Sequence, residues 1–579
     1  MWLAPHHVFG EDGSTLCAPL GLAPCNLATV KSVPDTPPTS PTHGALDTPG
    51  VAQNAVLGVN FANYPSNNPG SYAQAKAAGA RYDRVTFSMA GAQSGWEGYD
   101  ALVAAANSQN IEVLATLVEP AADACDASIG YSIWCVPKGL NLAWNDSGNP
   151  WSNWVYSAVQ RYKNSIHAWE IWNEPNLAFW AGSEAQYAQM LKRAYQAVKA
   201  ADPTATVVFG GIYRGNNAGR TQGLWNAIVA DPEAAANNYF FDVQGFHLYD
   251  GGHCSYTDEI EIVRSWMPAV LRGKPWWITE SGVRVQDWSQ QDFALSNEQA
   301  DWIISNYSYA LQKGMQRYYF WRMTDGGNTN EPWGLLKDDG TPRPAFTAYQ
   351  VAAQYLPTSF AWSVRHFDES TPSQTGSRIT FYGTPLGRVS VFYNIGPVPQ
   401  TLTETAILST GTWVYPNGST AAAPSSNGQR VITMPGAVNY NSWSPPDCLV
   451  PSSPVILIER DTTPPVTTLA TLPATSESIA IRLHWTTTDP LGAGDQGASG
   501  PWLYDGEFRV NGGAWQTLFS EETYTATAFL GVRGTNYTFR VRAIDRAGNA
   551  QAWASANIVA TTIAANANGK FAFLPTIRR

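Results

Sequence analysis

The sequence predicts an α/β fold, a (β/α)8 TIM barrel followed by two all-β sandwich domains. Three observations carry this. Eight apolar, strand-like runs alternate with helix-like segments between residues 55 and 356. Those runs are near-continuously apolar, as expected of parallel strands covered on both faces. From residue 357 the texture changes to short alternating runs split by Gly, Pro and Asn, the pattern of antiparallel sandwiches. Eight strand–helix units over roughly 300 residues suit a closed barrel better than an open doubly wound sheet. No G-x-G-x-x-G follows the first strand, which speaks against dinucleotide binding.

The elements follow in order. Residues 1–54 form an N-terminal extension whose stretch 31–50, "KSVPDTPPTSPTHGALDTPG", is a Pro/Thr-rich linker. The strand runs of the barrel domain, 55–356, are "AVLGVNFAN" (55–63), "ARYDRVTFSM" (80–89), "IEVLATLVEP" (111–120) and "IHAWEIWNEPN" (166–176). They continue with "TATVVFGGI" (204–212), "FDVQGFHLYD" (241–250), "KPWWITESGV" (274–283) and "MQRYYFWRMTD" (315–325). Helical stretches such as 184–201 and 296–314 lie between them, and Ser183 is a fitting N-cap for the first of these. Residues 342–356 supply the eighth helix. A β-sandwich domain is expected over 357–460. A Pro-containing joint, "DTTPPV" (461–466), opens a third domain over 461–563. Its runs "SIAIRLHWTTTD" and "YTFRVRAIDRAGNA" resemble a fibronectin type III or immunoglobulin-like domain. Residues 564–579 form a short tail with a basic end.

Composition narrows the function classes. Apolar residues make up 44% and charged ones 14%, so the chain buries a large core. A net charge of −11 argues against nucleic-acid partners, which require clustered Lys and Arg. No apolar run approaches the roughly 20 residues of a membrane span. The N-terminal stretch "MWLAPHHVFGEDGSTLC" lacks the basic start and apolar core of a signal peptide. Cys17/Cys25 and Cys125/Cys135 are nevertheless short-spaced pairs able to close small loops, while Cys254 and Cys448 stand apart. Together with scarce Lys and abundant Thr, Asn and Gly, they suggest a secreted or cell-surface protein whose start is truncated or misassigned. A monomer is expected. The 24 Trp residues are more than a core of ordinary composition uses, so some should be platforms for the flat apolar faces of sugars. Candidates in loops above the strands are Trp96, Trp134, Trp144, Trp180, Trp288 and Trp333.

In a barrel of this kind the site lies at the C-terminal ends of the strands. Those ends supply Arg84 from strand two, Asn173 and Glu174 from strand four, and His247 and Tyr249 from strand six. Strand seven supplies Glu280 and strand eight Trp321. Pro175 cannot continue a strand ladder, so the fourth strand must finish at Glu174. Two carboxylates facing one cleft are what glycosidic cleavage requires, one to protonate the leaving oxygen and one to attack or activate water. Metal or cofactor chemistry is not expected, since there is no H-E-x-x-H and no paired C-x-x-C. The acidic, Gly-rich loop 489–500 reads as a plain flexible loop before it reads as a calcium site.

With those residues in place, the barrel resembles glycoside hydrolase clan A. Asn-Glu-Pro follows strand four and Thr-Glu-x-Gly follows strand seven; "WEIWNEPNLAFW" and "GLLKDDGTPRPAF" lie nearest to glycoside hydrolase family 39 and cellulase family 5. The resemblance implies that Glu174 is the general acid/base and Glu280 the nucleophile of a retaining β-glycoside hydrolase. It also implies that Asn173 binds the sugar 2-hydroxyl and that Arg84 and Tyr249 flank Glu280. His247 would be the His of the clan's His-x-Tyr, and Trp321 the floor beneath the sugar. Trp172 and Phe179 are expected as an apolar surround that keeps Glu174 protonated, with Arg84 keeping Glu280 charged. Glu119, at the end of strand three, matches no family role. The long loop 121–150 should wall one side of the cleft. A carbohydrate polymer or its oligosaccharides is the expected substrate, with endo action preferred to exo. The alternative is a non-catalytic carbohydrate-binding surface protein on the same scaffold, and intact Glu174 and Glu280 argue against it.

Overall fold

The computed structural model describes residues 56–569 apart from 64–70, 129–131, 216, 250–258, 286–291, 327–331, 368–375, 395, 397 and 437–451. The described chain forms two compact units, one ending at Glu459 and one beginning at Arg460.

The first unit contains the closed, eight-stranded parallel barrel that the apolar runs predict. Its strands are β1 (Val56–Asn60), β2 (Tyr82–Ser88), β3 (Glu112–Val118), β4 (Ala168–Asn173), β5 (Thr206–Tyr213), β6 (Val243–His247), β7 (Trp276–Ser281) and β8 (Arg317–Phe320). Closure comes from β1 pairing with β8, Val56 opposite Arg317 and Val59 opposite Phe320. Leu114, Ala168, Val208, Val243, Trp277 and Tyr319, one from each of six strands, pack as a separate buried cluster that plugs the barrel. The opposite strand faces meet the helices in the larger core.

The helix Glu184–Ala201 shows how these elements are specified. Ser183 caps it in a box with Gln186. Tyr187, Leu191, Ala194 and Val198, spaced three to four apart, are its buried stripe. Asp202 and Pro203 follow its end. Strand eight stops earlier than its apolar run, at Phe320. Beyond it the backbone divides its bonds between neighbours: Trp321 N–H donates to Ser281 at 2.7 Å and Met323 N–H to Asn60 at 3.0 Å.

Largely antiparallel sheets follow the barrel, as expected, with one parallel pair, Thr475–Ser478 against Ile558–Asn568. In 362–459 they are a six-stranded and a two-stranded sheet. This module shares the barrel's compact unit, and the physical reason is a continuous core. Ile379, Phe381, Val389, Val391, Ile456 and Ile458 belong to the same buried cluster as the barrel helices. Ser453 N–H also donates to Asp301 on the helix Asp292–Gln312 at 2.8 Å. The second unit holds a three-stranded and a five-stranded sheet around its own core, which includes Trp485, Phe508, Phe529 and Phe539. Of the cysteines, Cys125 and Cys135 are joined in a disulfide. Cys17, Cys25, Cys254 and Cys448 lie outside the described residues.

Candidate active site

Strand β4 carries the site's backbone irregularity. Glu170 points into the barrel, and strict alternation would turn Trp172 inward as well. Instead Trp172 adopts φ of +78° and Glu174 φ of +45°, a conformation costly for residues with bulky side chains. The consequence is a change of face. Ile171 and Trp172 both pack outward in the helix-facing core, and Asn173 turns in to accept from Arg84. Glu174 N–H still bonds Gly211 of β5 at 2.9 Å, and Pro175, with no donor, ends the strand. Asn176 then ties the loop down, donating to Tyr213 O at 2.6 Å and to Thr221 at 3.0 Å.

Six of the seven residues anticipated from the sequence form one connected group. Arg84 is 4% exposed and donates from Nη1 to Glu280 at 2.6 Å and from Nη2 to Asn173 at 2.8 Å. Tyr249 donates its hydroxyl to the other Glu280 oxygen at 2.5 Å. His247 Nδ1 lies 2.7 Å from Glu174 and 3.5 Å from Glu280. Glu174, His247 and Glu280 each present an atom within 4.8 Å of the other two. The seventh, Trp321, follows strand β8 and is half-buried, with Phe61 edge-on at 5.3 Å.

The two carboxylates have different electrostatic surroundings. Glu280 receives a cation and a phenol. Glu174 receives an imidazole. Burial raises the Tyr249 hydroxyl pKa well above the phenol range, and the Glu280 charge adds to this, so it stays a donor. Burial presses the His247 pKa down, but Glu280 and Glu174 outweigh it and hold it above the ordinary value. Since Nδ1 faces both carboxylates, the proton belongs on Nδ1. Nε2 is buried without a partner among the described residues, and a side chain at Gly211 would overlap the ring there.

The expected apolar surround of Glu174 is built differently. Trp172 is fully buried against Trp151 and Trp180, with its indole N–H donating to Phe179 O at 2.6 Å, and forms the core behind the acid's loop. Trp134, on the disulfide-closed loop, packs edge-on to Phe179 at 5.0 Å. Trp180 is 1% exposed and is core, not platform. Trp96 lies at the start of the helix Glu97–Ser108 beneath Arg161, and Trp144 packs on Tyr156. Trp333 does approach the site, 5.6 Å from Tyr249. Trp288 lies outside the described residues. Glu119 is held at φ +55° with its carbonyl accepting from Ala90 N–H, a backbone role.

Sequence reasoning passed over Asn60, Thr116 and Glu170. Glu170 was detectable as a charge in the middle of a strand whose other residues up to Trp172 are Ala, Trp and Ile, where a buried charge demands a partner. Among the described residues one further acidic group is compact: Asp461, Asp489 and Asp545 in the second unit, each with an oxygen within 4.8 Å of the others. Their oxygens accept from backbone N–H groups of Ser499, Gly500 and Gly548, which ties the loop 489–500 to its neighbours.

Residues 58–327 match the family model described as cellulase (glycosyl hydrolase family 5). Among solved structures, the chain is similar to a family 39 glycoside hydrolase from the gut symbiont Bacteroides cellulosilyticus WH2. The two are 16% identical over 70% of this chain and 81% of that one, with a TM-score of 0.54. A glucosidase from Croceicoccus marinus (12% identical, 71% and 97% covered, TM-score 0.48) and a family 30 endoxylanase from Clostridium papyrosolvens C71 (13%, 71% and 97%, 0.45) are more distant in shape. No curated protein matches the sequence.

Proposed function

We propose that this chain, whose barrel matches the cellulase family over 58–327, is a retaining β-glycoside hydrolase acting on a carbohydrate polymer or its oligosaccharides. The observation that carries this reading is the approach of Glu174 and Glu280 to within 4.8 Å, oxygen to oxygen, with different hydrogen-bond partners. It suits the carboxyl separation of about 5–5.5 Å that direct attack needs, not the about 6.5–9.5 Å that leaves room for a water.

In the first step a Glu280 oxygen bonds to the anomeric carbon. The bond from that carbon to the glycosidic oxygen breaks, and the oxygen takes the proton of Glu174. In the second step Glu174 takes a proton from water, whose oxygen bonds to the anomeric carbon and releases Glu280. Arg84 and Tyr249 grip Glu280 and aim it. His247 Nδ1–H steadies Glu174 as it changes charge. Asn173 binds the 2-hydroxyl and Trp321 floors the sugar. The disulfide-closed loop 121–150 walls one side, and endo action on a chain is preferred. The same reading makes the protein secreted and monomeric, with the unit from Arg460 onward a fibronectin type III-like or immunoglobulin-like spacer.

A screen of aryl β-glycosides and plant and bacterial polysaccharides tests the proposal. Release of phenol or reducing sugar by the wild-type chain, abolished in Glu280→Gln, is the expected result. Binding of a polysaccharide with no turnover on the whole panel would favour a lectin-like role.

A further inference from the structure

Glu170 is a charge fully buried on β4, and the reaction as proposed gives it no task. Its Oε2 accepts from Arg84 Nε at 2.5 Å and from Thr116 Oγ1 at 2.7 Å, and its Oε1 from Gly211 N–H at 3.1 Å. Both oxygens are therefore engaged from three strands, β2, β3 and β5. Arg84 lies between this carboxylate and Glu280. Its Nε faces Glu170, while Nη1 faces Glu280 and Asn60 and Nη2 faces Asn173.

Burying a lone guanidinium is costly unless it is paired and its N–H groups are bonded. A partner at Glu280 alone would satisfy the charge, yet it would tie up the nucleophile and leave Nε without an acceptor. The planar, rigid fork also means that fixing Nε fixes the direction of both Nη groups.

We infer that Glu170 is a positioning residue for the glycosidase reaction proposed above. It clamps Arg84 at Nε, which aims Nη1 at the nucleophile Glu280 and Nη2 at Asn173, and its charge shares the guanidinium so that Glu280 is stabilised only in part. The second effect matters because the nucleophile must be ionised and still reactive. A carboxylate holding the whole charge of Arg84 would ionise more readily and attack less well. The inference rests on the assignment of Glu280 as nucleophile, and its test separates the two claims.

The test compares wild type, Glu170→Gln and Glu170→Asp on an aryl β-glycoside that the wild-type enzyme turns over, with kcat, KM and the pH profile of kcat/KM measured for each. Glu170→Gln keeps the shape and removes the charge. It should lower kcat by about 10²-fold and move the acid limb of kcat/KM to lower pH by about half a unit or more, because Arg84 then serves Glu280 undivided. Glu170→Asp keeps the charge and withdraws it from Nε. It should lower kcat about 10-fold or more, with KM within a few-fold of wild type and the acid limb unmoved. A role in stability alone would lower the amount of folded enzyme and leave the limb in place. A wild-type acid limb in active Glu170→Gln overturns the inference, as does full kcat in Glu170→Asp. Should Glu170→Gln not fold, the Glu170→Asp result decides by itself. A wild-type chain that turns over no glycoside defeats the parent proposal instead.

Discussion

Glu174 and Glu280 bring their carboxylates within 4.8 Å of each other, yet each is held by different partners. Glu280 is gripped by Arg84 at 2.6 Å and Tyr249 at 2.5 Å, while Glu174 meets His247 at 2.7 Å. A permanent guanidinium on one carboxylate and a titratable imidazole on the other is the asymmetry from which the proposed mechanism draws two roles for identical side chains.

Those roles predict different failures. Glu280→Gly should be inactive until an external anion such as azide occupies the gap, and the rescued product should carry azide with inverted configuration. Glu174→Gly should still form the glycosyl-enzyme from a dinitrophenyl glycoside and stall there, since no base activates water. Azide should then release a product of retained configuration. Exchanged products in the two variants, identified by NMR, would exchange the roles.

His247 supports Glu174 through one hydrogen bond, so its removal should be felt in proton transfer. In His247→Ala, kcat/KM should fall by about 10²-fold on substrates with poor leaving groups and much less on dinitrophenyl glycosides, which need little acid assistance. An equal loss on both kinds of substrate would assign His247 to the shape of the site instead.

Stability of the barrel unit should decline as pH rises from about 4 to about 7. Burial pushes the Asp83 carboxyl up to about 7, against its bonds to Ala62 N–H and Tyr72, and burial likewise pushes Asp301 up to about 7. In unfolded chains these groups titrate near 3.9. The folded state therefore holds more protons between the two values, and its stability is full below about 4 and lost as pH rises through about 7. Asp83→Asn should flatten the slope of denaturation midpoint against pH across this range. An unchanged slope in that variant would show that Asp83 is not the group responsible.

The unit boundary predicts what can be cut away. A chain ending at Glu459 keeps every residue of the site and the shared core, and should retain turnover of a small soluble substrate within a few-fold of the full chain. A chain ending at residue 356 loses Ile379, Phe381, Val391 and Ile456 from that core and bares apolar surface on the barrel. It should aggregate or melt far below the full chain. Soluble, active protein from the shorter version would mean that the first β module is an independent appendage.

The fold was legible because parallel strands covered on both faces read as unbroken apolar runs, and Gly, Pro and Asn mark where sandwiches begin. The site was legible wherever a polar residue ended such a run, as Glu174, His247 and Glu280 do. What escaped was set by three-dimensional pairing. Asn60 and Thr116 look ordinary in the sequence and matter because the closed barrel brings them to Arg84 and Glu170. Trp172 faces the outer core because the turn of β4 at φ +78° breaks the strand's period of two, and Trp180, expected as a loop platform, packs against it in that core. Nor does periodicity foretell that Ile379, Val391 and Ile456 of the first β module would join the barrel's core.

Double displacement at Glu280 is tested most directly by the configuration of the first-formed product. A β-glycoside that the wild-type enzyme turns over is hydrolysed in deuterated buffer at high enzyme concentration, and the anomeric proton is followed by NMR before mutarotation intervenes. The β-anomer should appear first, with the α-anomer growing in only as the sugar equilibrates. Initial appearance of the α-anomer would mean a single displacement by water, and Glu280 would not be the nucleophile.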